Sequence, residues 1–121
     1  MTLERLDPRL SICKLGGLPE ELPDAELCFL AKTDKEISLV CPEELVPAGA
    51  YIRDDGWRAF RISGQLDFSL IGILSKISGI LADAGIGIFA VSTYDTDYVL
   101  VKEEAFGRAL EALEAGGYTV A

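Results

Sequence analysis

Residues 57–104 read WRAFRISGQLDFSLIGILSKISGILADAGIGIFAVSTYDTDYVLVKEE, and their periodicity decides the fold. The opening WRAFRIS alternates, with Trp57, Ala59 and Arg61 on one face and Arg58, Phe60 and Ile62 on the other, as a half-buried strand does. Gly64 breaks that run. Over 69–84 the apolar residues Leu70, Ile73, Leu74, Ile77, Ile80, Leu81 and Ala84 recur at spacings of three and four, which predicts a helix with one broad apolar stripe. Asp67 or Ser69 caps its start and Gly85 supplies the left-handed residue that ends it. Two β-rich runs follow, 86–93 and 98–101, flanking a polar turn around Tyr94, Asp95, Thr96 and Asp97.

Working outward, residues 103–115 predict a second amphipathic helix. Phe106, Leu110 and Leu113 share one side, acids fill the first turn, and Gly116-Gly117 lie just past the end. Residues 118–120 make a last short strand. The order βαββαβ is the ferredoxin-like plan of the α+β class, a four-stranded antiparallel sheet with two helices on one face.

The first half reads as a worn copy of the second. Setting LVCPEEL (39–45) against LVKEEAF (100–106) gives an offset of 61, which also pairs Asp34 with Asp95 and Glu36 with Asp97. KLGGLPEEL (14–22) matches ISGQLDFSL (62–70) at an offset of 48, so 13 residues are missing between the two blocks, most of the first helix. The expectation is two tandem units, an abbreviated one over 1–50 and a fuller one over 51–121, packed together because neither covers its apolar face alone. Residues 46–56, VPAGAYIRDDG, interrupt the periodicity and predict a linker.

Composition limits the chemistry. A net charge of -9 over 121 residues argues against a nucleic-acid surface, which draws on clustered Lys and Arg. There is no histidine, so Ser-His-Asp and Cys-His catalysis are excluded and the commonest metal ligand is missing. Cys13, Cys28 and Cys41 form neither a complete disulfide framework nor a Cys-x-x-Cys pair and read as buried structural thiols. No apolar run reaches the roughly 18 residues of a membrane span, and MTLERLDPRL lacks the basic and apolar regions of a signal peptide. The expected location is cytoplasmic, without membrane contact.

Two loops are candidates for ligand binding. The segment 64–69 leads into a helix whose unpaired N–H groups and partial positive charge suit a carboxylate, and the small Ser69 and Gly72 permit close approach. Asp67 and Ser69 also serve as ordinary caps. In the turn, Asp95 and Asp97 suit an ammonium or guanidinium group, with Ser92 and Thr93 as neutral partners. A solvated hairpin uses the same residues for turn geometry alone. Catalysis by paired acids needs a pocket that splits their pKa values, which a turn on a small sheet does not provide. Asp95-Thr96-Asp97 also lacks the later Gly and Glu of a calcium loop, so no metal or cofactor is expected.

The ordered motifs LDFSLIGIL, AGIGIFAVST and TDYVLV resemble the ACT-domain superfamily. They are most similar to the subfamily found in bacterial two-ACT proteins and in the eukaryotic cytosolic arginine sensors known as CASTOR proteins. The resemblance implies a regulatory module, not an enzyme, that holds an amino acid at an interface between ACT units. Carried to matching positions, Asp67, Ser69, Gly72 and Ile73 line the helix start, and Thr93, Tyr94, Asp95 and Asp97 the strand-end loop. In the arginine sensors the acid matching Asp97 helps hold the ligand, which implies a ligand bearing positive charge. Those sensors carry more ACT units per chain, so a comparable interface here implies a homodimer. An exposed edge strand asks for the same cover. Readout would pass to a separate effector protein. The alternative is an assembly module on the same fold that binds no ligand.

Overall fold

The computed structural model describes residues 1–64 and 71–121. The chain divides into two compact units, one comprising Met1–Asp7 with Arg58–Ala121 and the other Pro8–Trp57. Strands β1 (Thr2–Leu15) and β4 (Ala50–Ile62) contribute residues to both. Residues 46–56, expected as a linker, are therefore mostly strand from Ala50 onward.

In the unit containing the C-terminus, strands lie in the order β7 (Thr119–Val120), β1, β4, β6 (Asp97–Lys102), β5 (Phe89–Ser92). Helices α1 (Ile73–Asp83) and α2 (Glu103–Ala115) supply the rest. The sheet thus has a fifth strand that the four-stranded expectation lacked. The two-residue β7 pairs in parallel with β1, Thr2 opposite Thr119 and Leu3 opposite Val120. Bonds from Thr119 N to Met1 O (3.1 Å), Ala121 N to Leu3 O (2.8 Å) and Arg5 N to Ala121 O (3.0 Å) satisfy its backbone.

Alternation along the strands sets the faces. Leu3, Phe60, Ile62, Val99 and Val101 point to one side and form a core with Ile77 and Leu81 of α1 and with Phe106, Ala109, Leu110 and Leu113 of α2. Helix α2 has the bounds the stripe predicts. Helix α1 starts later than its stripe, because Gly72 sits at φ 79° in the left-handed region and Ile71 is not helical. The expected start, with Asp67 and Ser69, lies outside the described residues. Both helices end in the same motif. Gly85 N donates to Ala82 O (3.0 Å) and Ile86 N to Leu81 O (2.9 Å), as Gly117 N does to Glu114 O (3.0 Å) and Tyr118 N to Leu113 O (3.1 Å). Left-handed glycines make these closures possible, and Ile86 and Tyr118 then turn into the core.

The opposite sheet face of this unit carries a polar network. Arg61 donates through Nε (3.2 Å) and Nη2 (3.0 Å) to Glu4 Oε2, Ser63 Oγ donates to Glu4 Oε1 (2.6 Å), and Arg61 Nη1 lies 3.5 Å from the Tyr98 hydroxyl. The Ser63 hydrogen bond, then the Arg61 guanidinium, hold the Glu4 carboxyl below its usual range.

In the Pro8–Trp57 unit the strand order is β2 (Phe29–Lys32), β3 (Ile37–Pro42), β1, β4. Strands β1 and β3 pair antiparallel from Leu10 opposite Pro42 to Leu15 opposite Ile37. Residues 16–28 contain no helix, and the chain after β3 makes only a single 3-10 turn, Glu43–Leu45. A small core of Cys13, Leu15, Leu39 and Cys41 results.

The hairpins β2–β3 and β5–β6 are equivalent, but at an offset of 60. Phe29 opposite Val40 through Lys32 opposite Ile37 repeats as Phe89 opposite Leu100 through Ser92 opposite Asp97. Thr33 N donates to Glu36 O (2.9 Å) as Thr93 N donates to Thr96 O (2.9 Å). The letter match at 61 is thereby corrected. Identical Leu-Val pairs align at that spacing, but a one-residue slip puts every side chain on the wrong face. The structural counterpart of Asp97 is Ile37, and that of Asp95 is Lys35.

Two predictions follow from packing and charge. Leu30 and Leu39 face one another across β2–β3, yet Leu39 is fully buried and Leu30 is 37% exposed. Leu39→Ala should cost about 2–5 kcal/mol in urea titrations, against about 1 kcal/mol or less for Leu30→Ala. The lowered Glu4 pKa means its contribution is present above the unfolded carboxylate range and lost as pH falls through the folded value. The gap in urea midpoint between the wild type and Glu4→Gln should therefore be widest near neutral pH and shrink on acidification. A gap that stays constant down to pH 3 would contradict it.

Candidate functional site

The turn joining β5 to β6 is built around two threonines. Thr93 Oγ1 donates to Thr96 O (3.0 Å) and accepts from Thr96 N (3.4 Å), closing the turn locally. Thr96, only 7% exposed, donates its hydroxyl to Ile62 O at 2.8 Å. That bond fastens the turn to the end of β4, two residues before Gly64, where the chain leaves the sheet on its way to α1. A buried hydroxyl without such a partner would cost about 1–3 kcal/mol, so the attachment is firm.

Within this turn the side chains diverge. Asp97 has the same strand parity as Val99 and Val101, which puts it on the helix-covered face at the mouth of the sheet. Ser92, directly opposite, donates its hydroxyl to Asp97 Oδ1 at 2.6 Å. Tyr94 and Asp95 occupy the tip, where Tyr94 is 75% exposed. Thr93, Tyr94, Asp95 and Asp97 thus share one hairpin, of which Asp97 is the acid turned toward the helix side.

Gly72 and Ile73 lie elsewhere. They border a depression of about 270 Å³ with Met1, Ile71, Lys76, Gly117 and Tyr118, and no residue of the turn lines it. Lys76 Nζ sits 5.4 Å from the centre of the Tyr118 ring there. Asp67 and Ser69, expected to complete the site, lie outside the described residues.

Sequence reasoning missed two polar features. Glu4, Arg61, Ser63 and Tyr98 lie on the face opposite Asp97, and their only signal was an ionisable residue at alternate strand positions. A cleft of about 590 Å³ between α2 and the strands is lined by Arg5, Asp7, Arg58, Phe106, Gly107, Leu110 and Ala121. There the Arg58 guanidinium stacks 4.5 Å from the Phe106 ring centre and donates from Nη2 to Leu6 O at 3.1 Å. Its signal was legible, since an arginine on the core face of WRAFRIS must find a polar or aromatic partner. Among the described residues no group of three acidic, Cys or His side chains is placed to hold a metal ion. Nor is any described helix long and apolar enough to cross a membrane.

Comparison with known proteins agrees with this architecture. The sequence profile described as "ACT domain" matches residues 52–115. The cytosolic arginine sensor for mTORC1 subunit 1 of Homo sapiens is 42% identical over 59 residues, covering 48% of this chain and 18% of that protein. The chain thus spans about a fifth of the length of that curated relative. A crystal structure of a protein from Agrobacterium tumefaciens superposes with a TM-score of 0.89 at 28% identity, covering 99% of this chain and 91% of that one. The regulatory subunit of aspartate kinase from Thermus thermophilus shares the fold, with a TM-score of 0.61 at 13% identity over 91% of this chain and 93% of that one. Since the profile match runs over more than half of its length, this chain belongs to the ACT domain family.

Proposed function

We propose that the chain is a regulatory module that binds a small amino acid bearing a positive charge, held at an interface between ACT units, and that it does no catalysis. The observation that carries this reading is the 2.8 Å bond from Thr96 to Ile62 O. It fastens the acidic turn to the end of β4, two residues before Gly64, and the proposal is that the chain following β4 brings the helix start within reach of the same ligand. Asp97 would receive the ligand's cationic group, with Ser92 keeping its carboxylate oriented. Thr93, Tyr94 and Asp95 would complete the turn side. Asp67, Ser69, Gly72 and Ile73 would receive the ligand's carboxylate at the helix start. The name of the human relative, an arginine sensor, supports arginine as the first candidate.

The tandem organisation is part of the proposal. Residues 1–50 would be an abbreviated ACT-like unit and 51–121 the C-terminal ACT domain. Support comes from the equivalent hairpins at an offset of 60 and from a second strand order, β2-β3-β1-β4, that fits a ferredoxin-like plan stripped of its helices. Because Ile37 stands in the place of Asp97 in the first hairpin, each chain would bring one acid at this strand position, and a homodimer would bring two. Such a dimer would act in the cytoplasm and pass its ligand-dependent state to an effector protein. Differential affinity for two arrangements of the units would drive the switch.

A thermal-shift and calorimetric screen of the common amino acids tests this reading. Arginine or another cationic amino acid should raise the melting temperature by several degrees. Ligand at a hundred times Kd adds about 2.7 kcal/mol, and Asp97→Ala should weaken binding about tenfold or more through loss of a charge-assisted bond. A blank screen together with a tight dimer would instead identify an assembly module.

A further inference from the structure

We propose that Cys28 and Cys41 form a reversible disulfide across the β2–β3 hairpin when the protein meets a small-molecule disulfide such as oxidised glutathione. The three thiols are free in the structure and play no part in the proposed ligand site. Strands β2 and β3 pair with Phe29 opposite Val40. Cys28 immediately precedes β2, and extending the same register by one step sets it opposite Cys41.

The kind of pair matters. Thr33 N donates to Glu36 O at the turn, so 33 and 36 form a hydrogen-bonded pair. Pair types alternate along an antiparallel ladder, and counting back from the turn along the β2–β3 register makes 28 and 41 a non-hydrogen-bonded pair. Directly opposed residues of that type have Cα atoms about 4.5 Å apart with side chains on the same face. A disulfide requires Cα atoms about 4.4–6.8 Å apart, a range that includes the spacing of such a pair. Packing agrees with the register, since Cys28 lies against the cluster that contains Cys13, Leu15, Leu39 and Cys41.

Cys13 is the competing thiol, and geometry disfavours it. It stands opposite Leu39 on β1, diagonal to Cys41, which stands opposite Ser11. Its Sγ already donates to Leu39 O at 3.3 Å. Diagonal neighbours lie about 7–8 Å apart, beyond disulfide reach.

The exchange proceeds in two displacements. Cys28 is only half-buried and is the thiol that an oxidant reaches first. Its thiolate attacks one sulfur of the small disulfide, forming a mixed disulfide and releasing one small thiol. The Cys41 thiolate then attacks the Cys28 sulfur, closing the bridge and releasing the second small thiol. Two cysteine thiols are oxidised and one small disulfide is reduced to two thiols, with both protons accounted for. Burial raises the Cys28 thiol and pushes Cys41 up to about 12. Closure is therefore slow at neutral pH and accelerates as pH rises.

Tryptic cleavage places each cysteine on its own peptide, residues 10–14, 15–32 and 36–53. The folded full chain, incubated with oxidised glutathione, should yield peptides 15–32 and 36–53 joined and lighter by two hydrogens, with 10–14 still reduced. Dithiothreitol should restore both. Cys13→Ser should keep the link, and Cys28→Ser should abolish it and leave Cys41 reduced. A link involving 10–14, or a glutathione adduct on Cys28 that never resolves, would overturn the proposal. So would thiols that stay reduced in the folded chain while reacting in urea.

Discussion

Val99 and Val101 are sealed beneath the two helices, and strand geometry then leaves no freedom for their neighbours. With a side-chain period of two, Asp97 must lie on the helix side and Tyr98 on the other. The same rule in β4 buries Phe60 and Ile62 under the helices and turns Arg61 and Ser63 outward to meet Glu4. Two polar assemblies with opposite orientations thus grow from one apolar seam. Shifting the register of β6 by one residue would bury Tyr98 and Leu100 against the helices and remove the acid from that face.

Legibility in the sequence followed how local each signal was. Helix α2 was fully legible because its acids, its stripe and its terminal glycines all lie within fifteen residues of one another. Helix α1 was legible in its face but not in its start, since the stripe runs through Gly72 and nothing in periodicity reveals a left-handed φ there. The fourteen-residue β1 was not legible as a strand, because Asp7 and Pro8 interrupt its alternation at the middle. The Glu4–Arg61 pair joins positions 57 residues apart and left no local trace.

The repeat shows where letter matching and physics part. Identical Leu-Val dipeptides fix an offset of 61, whereas the Thr33 and Thr93 turns and the burial that follows them fix 60. Buried Leu39, Val40 and Cys41 correspond to buried Val99, Leu100 and Val101, so burial is shared where letters are not. Of the candidate site, the turn residues were legible as a group because they are contiguous. What the sequence did not reveal is which acid faces the helices, since that depends on the register and not on composition. Asp95 and Asp97 look alike as letters but differ in role, one at the tip and one on a strand.

The two hairpins also show how the setting of Asp97 differs from that of its structural counterpart. Both turns use a threonine to close on the residue three positions later. In the first, that later residue is Glu36, whose carboxylate accepts from Ser38 Oγ at 2.6 Å. In the second it is Thr96, whose buried hydroxyl reaches Ile62 O, while the acid comes one residue further on and accepts from the neutral Ser92. Both carboxylates accept from a serine hydroxyl, so what separates the turns is position: Glu36 belongs to the turn itself, whereas Asp97 begins β6 and shares strand parity with Val99 and Val101. On the proposed reading, that position is why the second turn suits a cationic ligand: a guanidinium or ammonium group would add an attraction to Asp97 that the Ser92 hydroxyl does not supply, where the first hairpin has Ile37 in the matching place.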